Sequence, residues 1–405
     1  MWDMSSPSLS ALQESPVAVV GAGAMGAGIA QVAAQAGHVV HLVDAAPGAA
    51  AAAREKLSAT LERLVTKGKV TGDDAAGTLG RVVVPGGDTL DLAALPEVGL
   101  VVEAVVERLD VKRSIFATLA EHQPPSTVLA SNTSSLDVTA IAEGLPGEGR
   151  VLGLHFFNPP PLMKLVEVVR GERSDPAVLE VAAELVRGWG KTPVQCTSTP
   201  GFIVNRVARP FYGEAQRLVE DGTADPATID LALREHAGFR MGPMELTDLI
   251  GQDVNLAVGT SVWEQTDRDP RYAPTALQQD LVAAGRLGRK SGHGVFRYDE
   301  SGRPVDATPD AGLAARLVGG PVVSDPVART LAMLVNEAVD LVHRGEATAE
   351  DVDTAMRLGT NYPKGPHEWL AALGAPTVVG QLRELDAAFP GGRYRTSPAL
   401  EEMTR

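Results

Sequence analysis

Cysteine is nearly missing from this chain: Cys196 stands alone among 405 residues. A single thiol excludes an internal disulfide framework and fits a reducing cytosol, so a cytoplasmic location is expected. Long apolar runs are missing too, and none reaches the length that a bilayer requires. The opening MWDMSSPSLSALQES lacks a basic segment followed by an apolar core. It does not read as a signal peptide, and residues 1–15 are expected to be a loose tail. Basic charge is in deficit: 36 Lys and Arg against 51 Asp and Glu leave a formal net charge of −15. That balance argues against nucleic acid or an anionic membrane as a partner, and any polyanionic ligand has to meet a local basic patch. Aromatic residues amount to 4%. Against that scarcity, the pair Phe156-Phe157 directly after His155 stands out.

What the chain does have is length for two or three domains and a composition, 44% hydrophobic and 21% charged, of globular type. From residue 16 the pattern alternates. Short β-branched runs at 16–20, 38–44, 81–84, 99–105, 127–132, 150–157 and 165–169 read as strands. Helical stretches are expected at 24–36, 48–67, 108–121 and 136–144. This is the pattern of a doubly wound α/β sheet. After Pro200 strand signal almost vanishes and the pattern becomes helical. The expected organisation is therefore a Rossmann-type domain over 16–199 and an all-α domain over 200–298. A polar linker follows at 299–322, and a second helical block at 323–405.

That second block is a copy. EAQRLVEDGTADPATIDLALREHAGFRMGPMELTDLIG (214–251) aligns without gaps on 337–374 at a constant offset of 123, as in Gly222/Gly345, Asp230/Asp353 and Pro243/Pro366. A duplicated helical unit is the reading.

Several motifs carry chemistry. Gly21, Gly23 and Gly26, with Ala24 and Met25 between the last two, form G-x-G-x-x-G between a strand and a helix, and Asp44 ends the next strand. The first Gly allows a tight turn, the second lets a pyrophosphate approach the backbone, and the third permits close helix–strand packing. Asp44 would accept hydrogen bonds from a ribose and repel a 2′-phosphate, which favours NAD over NADP. A Gly-rich turn without a ligand is the bland alternative. Arg54, Lys56, Arg63, Lys67 and Lys69 make a basic cluster, equally readable as a solvated helix face or as a polyanion site. Glu103 and Glu107, near a strand end, read first as a cap and surface charge. In the run Ser131-Asn132-Thr133-Ser134-Ser135, Ser135 is expected to cap a helix starting at Leu136, and some of the others to touch a ligand. The stiff turn at 158–161 would fold Glu167 back beside His155. A His paired with a carboxylate at the carboxyl edge of a nucleotide-binding sheet is read as a general base.

Together these residues resemble the L-3-hydroxyacyl-CoA dehydrogenases. The matching segments are GAGAMGAGIAQ, SNTSSL, GLHFFNPPPLMKLVE, TPGFIVNR, GPMELTDLIG and GRKSGHGVF, in order, from about residue 16 to 298. The second helical block resembles the extra copy of longer members. The resemblance implies NAD-dependent oxidation of an (S)-3-hydroxyacyl-CoA to the 3-ketoacyl-CoA, without a metal. It implies His155 as base, Glu167 as its partner, and Ser134 and Asn205 near the reacting carbonyl. Glu107, Lys112, Ser134, Asn158 and Lys290 would join the glycines and Asp44 around NAD, which overrides the surface reading of Glu107. Thr60 and Lys67 fall where the family meets CoA and move the basic helix towards a polyanion site. Leu162 and His293 depart mildly from the family pattern. The chain is expected to be a homodimer, or a monomer whose two helical copies pair internally. A lambda-crystallin-like dehydrogenase of a free hydroxy acid or sugar acid is the rival, and a non-catalytic NAD-binding subunit a second; the basic helix and the His155–Glu167 pair respectively speak against them.

Overall fold

The computed structural model describes residues 8–85 and 91–405. It divides into two compact units, 8–199 and 200–405 within those bounds.

The first unit holds an eight-stranded sheet: β1 Val17–Val20, β2 Val40–Val43, β3 Val82–Val83, β4 Leu100–Glu103, β5 Val128–Ser131, β6 Val151–Phe156, β7 Leu165–Arg170 and β8 Thr192–Thr197. The order is β3-β2-β1-β4-β5-β6-β7-β8, parallel except for the β6–β7 pair. All four residues of β1, β4 and β5 are buried, which is why these strands read as unbroken apolar runs: helices cover both faces. Helix Ala24–Gln35 follows the glycine turn. Gly21 sits at φ 107°, where a Cβ would stand 2.5 Å from the Ala104 carbonyl oxygen, and a Cβ on Gly26 would meet the Gly21 oxygen at 1.8 Å. Gly23 has nothing within 4 Å of that position, so the second glycine faces open space.

Three expectations about this unit need correction. Residues 9–14 are helical, not loose: Ser8 caps helix Leu9–Glu14, and Leu12 is buried at 3% exposure because the sheet leaves an apolar seat beside Gly99. Residues 1–7 of the expected tail lie outside the described residues. Helices Gly72–Arg81 and Pro176–Gly188 and strand β8 went unread. Pro193 and two half-exposed threonines dilute the strand signal in β8. The cap expected at Ser135 falls at Asp137: the helix starts at Val138, and Asp137 accepts from the Thr139 amide at 2.9 Å.

The second unit is helical. Helix Arg209–Glu220 of the first copy packs on helix Pro326–His343 of the second, and the copies exchange charges across a local twofold relation. Glu337 is held by Arg206 at 2.6 Å, by Arg271 at 3.1 Å and by the Tyr272 hydroxyl. Its mate Glu214 is held by Arg329 at 2.8 Å, Arg393 at 2.6 Å and the Tyr394 hydroxyl at 2.7 Å. Each glutamate belongs to one copy and all three of its partners to the other. The copies also share a local device: Asp230 accepts from the amides of Met244 and Glu245, and Asp353 from those of His367 and Glu368. The segment expected as a linker contains helix Ala311–Leu317, tied down where the Asp310 amide donates to the Thr228 hydroxyl at 2.8 Å.

Candidate active site

Parallel pairing puts Val20, Glu103, Ser131 and Gly153 level with one another at the carboxyl edge of the sheet, where α/β proteins bind ligands. His155 lies two residues further along β6. The turn at 158–161 brings β7 back antiparallel, in a register that sets Glu167 directly opposite His155. His155 Nδ1 and Glu167 Oε2 are 2.6 Å apart, with 6% and 0% exposure. A carboxylate only accepts, so Nδ1 carries the proton of this bond. The Phe157 ring packs on the imidazole at 4.6 Å. Lys191, a buried residue that the sequence reading passed over, fixes the turn by donating to the carbonyls of Pro160 at 2.6 Å and Met163 at 2.9 Å. Asn158 opens this turn through a cis peptide to Pro159.

A second cluster forms around two carboxylates. Buried Glu103 accepts from Lys112 Nζ at 2.7 Å, from the Ser131 hydroxyl at 2.7 Å and from the Val105 amide at 2.7 Å. Lys112 also reaches Glu107 at 3.2 Å. Glu107 Oε1 accepts from the Thr133 hydroxyl at 2.6 Å and from the amides of Ser134 at 2.9 Å and Ser135 at 3.1 Å. Burial alone would raise the pKa of Glu107. The Lys112 charge and the Thr133 and Ser134 donors outweigh it and hold the carboxyl below its usual range. The small polar run is therefore folded around Glu107, which places Ser134. Asn132 takes a separate task, accepting from the Phe156 amide at 2.8 Å and so tying β5 to the strand that carries His155.

Asp44 ends its strand as expected. Its two oxygens accept from the amides of Ala22 at 2.6 Å and Ala46 at 2.8 Å, which locks it to the glycine turn and leaves lone pairs for a ribose. Beside it opens a cavity of about 990 Å³ between Asp44, Gly48, Val82 and Pro96. A second, of about 690 Å³, is lined by Gly23 of the glycine turn and by Gly28, Lys56, Thr60, Pro160 and Leu162. Thr60 donates to the Lys56 carbonyl, and Lys67 closes helix Ala49–Thr66. Of the basic cluster, Arg54 is structural, its Nε donating to the Val82 carbonyl at 2.9 Å.

Asn205 and Lys290 belong to the second unit. Asn205 lies in helix Val204–Val207, and Lys290 pairs with Asp253 at 2.6 Å. Asp248 organises the loop that carries Lys290, accepting from the amides of Val295 and Phe296 at 2.9 Å each.

Residues 16–199 match the NAD-binding domain of 3-hydroxyacyl-CoA dehydrogenase, and residues 201–298 and 326–405 match its C-terminal domain.

The chain belongs to the 3-hydroxyacyl-CoA dehydrogenase family.

It is 42% identical to the 3-hydroxyadipyl-CoA dehydrogenase of Escherichia coli K12, over 95% of this chain and 96% of that one. It is 41% identical to the mitochondrial hydroxyacyl-coenzyme A dehydrogenase of Sus scrofa, over 70% of this chain and 90% of that protein. The crystal structure of 3-hydroxybutyryl-CoA dehydrogenase from E. coli K12 superposes with a TM-score of 0.86 at 41% identity, covering 96% of this chain and 97% of that one. The family sets the activity: NAD-dependent oxidation of a 3-hydroxyacyl-CoA. Its members' substrates do not favour the free hydroxy acid as a rival. No helix among the described residues is long and apolar enough to cross a membrane.

Proposed function

We propose that His155 is the general base of this dehydrogenase and that Glu167 orients it, acting on an (S)-3-hydroxyacyl-CoA in the cytoplasm. The observation that carries the reading is the buried 2.6 Å bond between them at the carboxyl edge of the sheet. With Nδ1 engaged by Glu167, Nε2 takes the proton of the 3-hydroxyl, and the carboxylate stabilises the imidazolium as it forms. When bound, NAD would supply the acceptor for the hydride that leaves C3. The cradle fits it: Gly23 leaves the backbone open to a pyrophosphate, the helix N-terminus supplies N–H donors, and Asp44 stands where a ribose is read. Lys290 and Asn158 are assigned to the same cofactor. Ser134, held by Glu107, and Asn205 donate to the substrate's oxygen at C3 and steady the charge that moves there. Glu107 in turn is held by Lys112, so Lys112 acts on the site through a carboxylate. Thr60 and Lys67 are assigned to CoA; Thr60 lines the groove that also holds Lys56 and Pro160.

The test is a spectrophotometric assay of NADH formation with 3-hydroxybutyryl-CoA, 3-hydroxyadipyl-CoA and the corresponding free acids. Turnover of CoA esters and none of free acids is expected; the reverse preference would remove the CoA assignment. Asp44→Ala should narrow the preference for NAD over NADP by about tenfold, because it removes a ribose acceptor and a repulsive charge together. Equal use of NADPH by the unaltered protein would show that Asp44 does not face the ribose.

A further inference from the structure

Where the helical copies meet, they leave a small cavity of about 30 Å³, room for roughly one or two water-sized particles. Its lining is rich in hydrogen-bond donors. Arg209, Arg271, Arg393, Gln216 and Gln278 all border it, and no Asp or Glu is among the described residues that do. Two of the arginines are balanced from behind: Arg271 meets Glu337 and Asp340, and Arg393 meets Glu214. Arg209 is not. Among the described residues it forms no ion pair, and it donates to the backbone carbonyls of Asn205 at 2.7 Å and Asn255 at 3.3 Å. Two further donors of the lining residues, Gln216 Nε2 and Arg271 Nε, are buried without a hydrogen-bond partner among the described residues. A cation without a counter-charge and a buried N–H without an acceptor each cost stability.

The second copy shows how the same backbone is packed when this polar set is absent. Helices Arg209–Glu220 and Gln252–Gln265 match parts of Pro326–His343 and Ala375–Ala388 at the offset of 123. Arg209, Gln216, Asn255 and Gly259 therefore have Ala332, Val339, Val378 and Leu382 as mates, and all four mates are buried in the apolar core. On the first copy's side two glycines keep side chains away from the guanidiniums. A Cβ on Gly259 would stand 3.6 Å from Arg209 Nη1, and one on Gly213 would stand 3.1 Å from Arg393 Nη2. One side of the twofold relation is thus filled with hydrocarbon, while the other is hollow and cationic. Arg209 remains partly exposed, so a small solute can reach it.

We propose that this cavity binds a small inorganic monoanion, of the size of chloride, which balances Arg209 at the joint between the copies. The volume and the single unbalanced charge point to a monatomic ion. A water molecule would leave the charge of Arg209 unbalanced. It would also bring two protons to a lining whose Gln216 and Asn255 amide oxygens already accept from the Thr275 hydroxyl at 2.7 Å and from Gln278 Nε2 at 3.1 Å. A halide only accepts, and its hydrogen bonds from a guanidinium and an amide N–H are charge-assisted. Arg393 comes from the second copy and the other donors from the first, so the cavity exists only while the copies are packed together. A ligand that binds the packed joint and not the unfolded chain stabilises the fold by mass action.

The experiment measures Tm of the full chain as sodium chloride or sodium bromide replaces sodium gluconate at constant ionic strength, in the unaltered protein, Arg209→Met and Gln216→Val. In the unaltered protein either halide should raise Tm by about 2–5 °C and then saturate. In both variants the halide-specific rise should fall below about 1 °C. Ala332 and Val339 at the mate positions show that uncharged and apolar side chains suit this backbone. Crystals of the unaltered protein grown with bromide should show an anomalous peak in the cavity. Equal Tm in halide and gluconate, an equal rise in all three proteins, or a cavity that holds water alone in the bromide crystals overturns the proposal. If a variant fails to fold, the bromide map of the unaltered protein still decides between halide and water.

Discussion

The two helical copies share a backbone plan and differ in what their side chains do. Both keep the glutamate that the other copy clamps, and both keep the aspartate that receives two helix-start amides, Asp230 and Asp353. The first copy carries Asn205 and Asp248; at the matching positions the second has Ala328 and Ala371. Nothing in residues 323–405 resembles GRKSGHGV, the stretch that bears Lys290, and Ala371 stands where Asp248 accepts from the Val295 amide. The retained residues serve the interface between copies, and the lost ones belong to the proposed site. Duplication has thus yielded an internal partner surface and a single set of site residues.

The largest effect should come from removing the second copy. Truncation after about residue 312 strips Glu214 of Arg329, Arg393 and Tyr394 and leaves a charge on a bare apolar face. Loss of one partner of a buried pair costs about 3–5 kcal/mol, and here three are lost. A dimer re-forming the same contacts, or an aggregate, is expected by light scattering. A well-behaved, active monomer would show that the copy does not serve as an internal partner.

Acid should attack the same interface. Burial alone would raise the pKa of Glu214, but Arg393 and Arg329 outweigh it and hold the carboxyl down to about 2. Because the folded value lies below the unfolded one, this stabilisation is complete above about pH 4.5 and is lost as pH falls towards 2. It amounts to something on the order of 3 kcal/mol. Urea unfolding of the full chain between pH 7 and pH 3 should show the decline, and Glu214→Gln should be less stable at pH 7 with a flatter pH profile. Parallel profiles for the two proteins would remove Glu214 from the account.

A smaller and more selective effect is expected where the copies differ. Asn205→Ala makes the first copy resemble the second, and should lower kcat about 100-fold with unchanged unfolding behaviour. Ala328→Asn, the reverse change in the second copy, should add no activity. Equal kinetics for Asn205→Ala and the unaltered protein would leave the contrast between the copies without functional meaning.

Much of this was legible in the sequence because the physics is local. The glycine turn, Asp44 and the strands through 165–169 follow from spacing and β-branched runs, and a turn as stiff as 158–161 dictates that Glu167 returns opposite His155. The repeat was legible from its constant offset. What escaped depends on contacts distant in sequence. Leu12 needed the seat beside Gly99 before its helix made sense. Ser135 looked like a cap until Glu107 claimed the run it belongs to. Lys191 drew no reading from the sequence, and only the folded turn at 158–161 shows what it holds. Arg206 and Arg329 stand one repeat apart, and their exchange of glutamates appears only when the copies are packed together.

The central claim, that chemistry is done by His155 held by Glu167, is tested most directly by kcat of His155→Gln together with its NAD dissociation constant. A fall in kcat of about 100- to 10,000-fold with an unchanged dissociation constant is predicted, because only the proton acceptor is removed. Near-normal turnover in that variant would contradict the account.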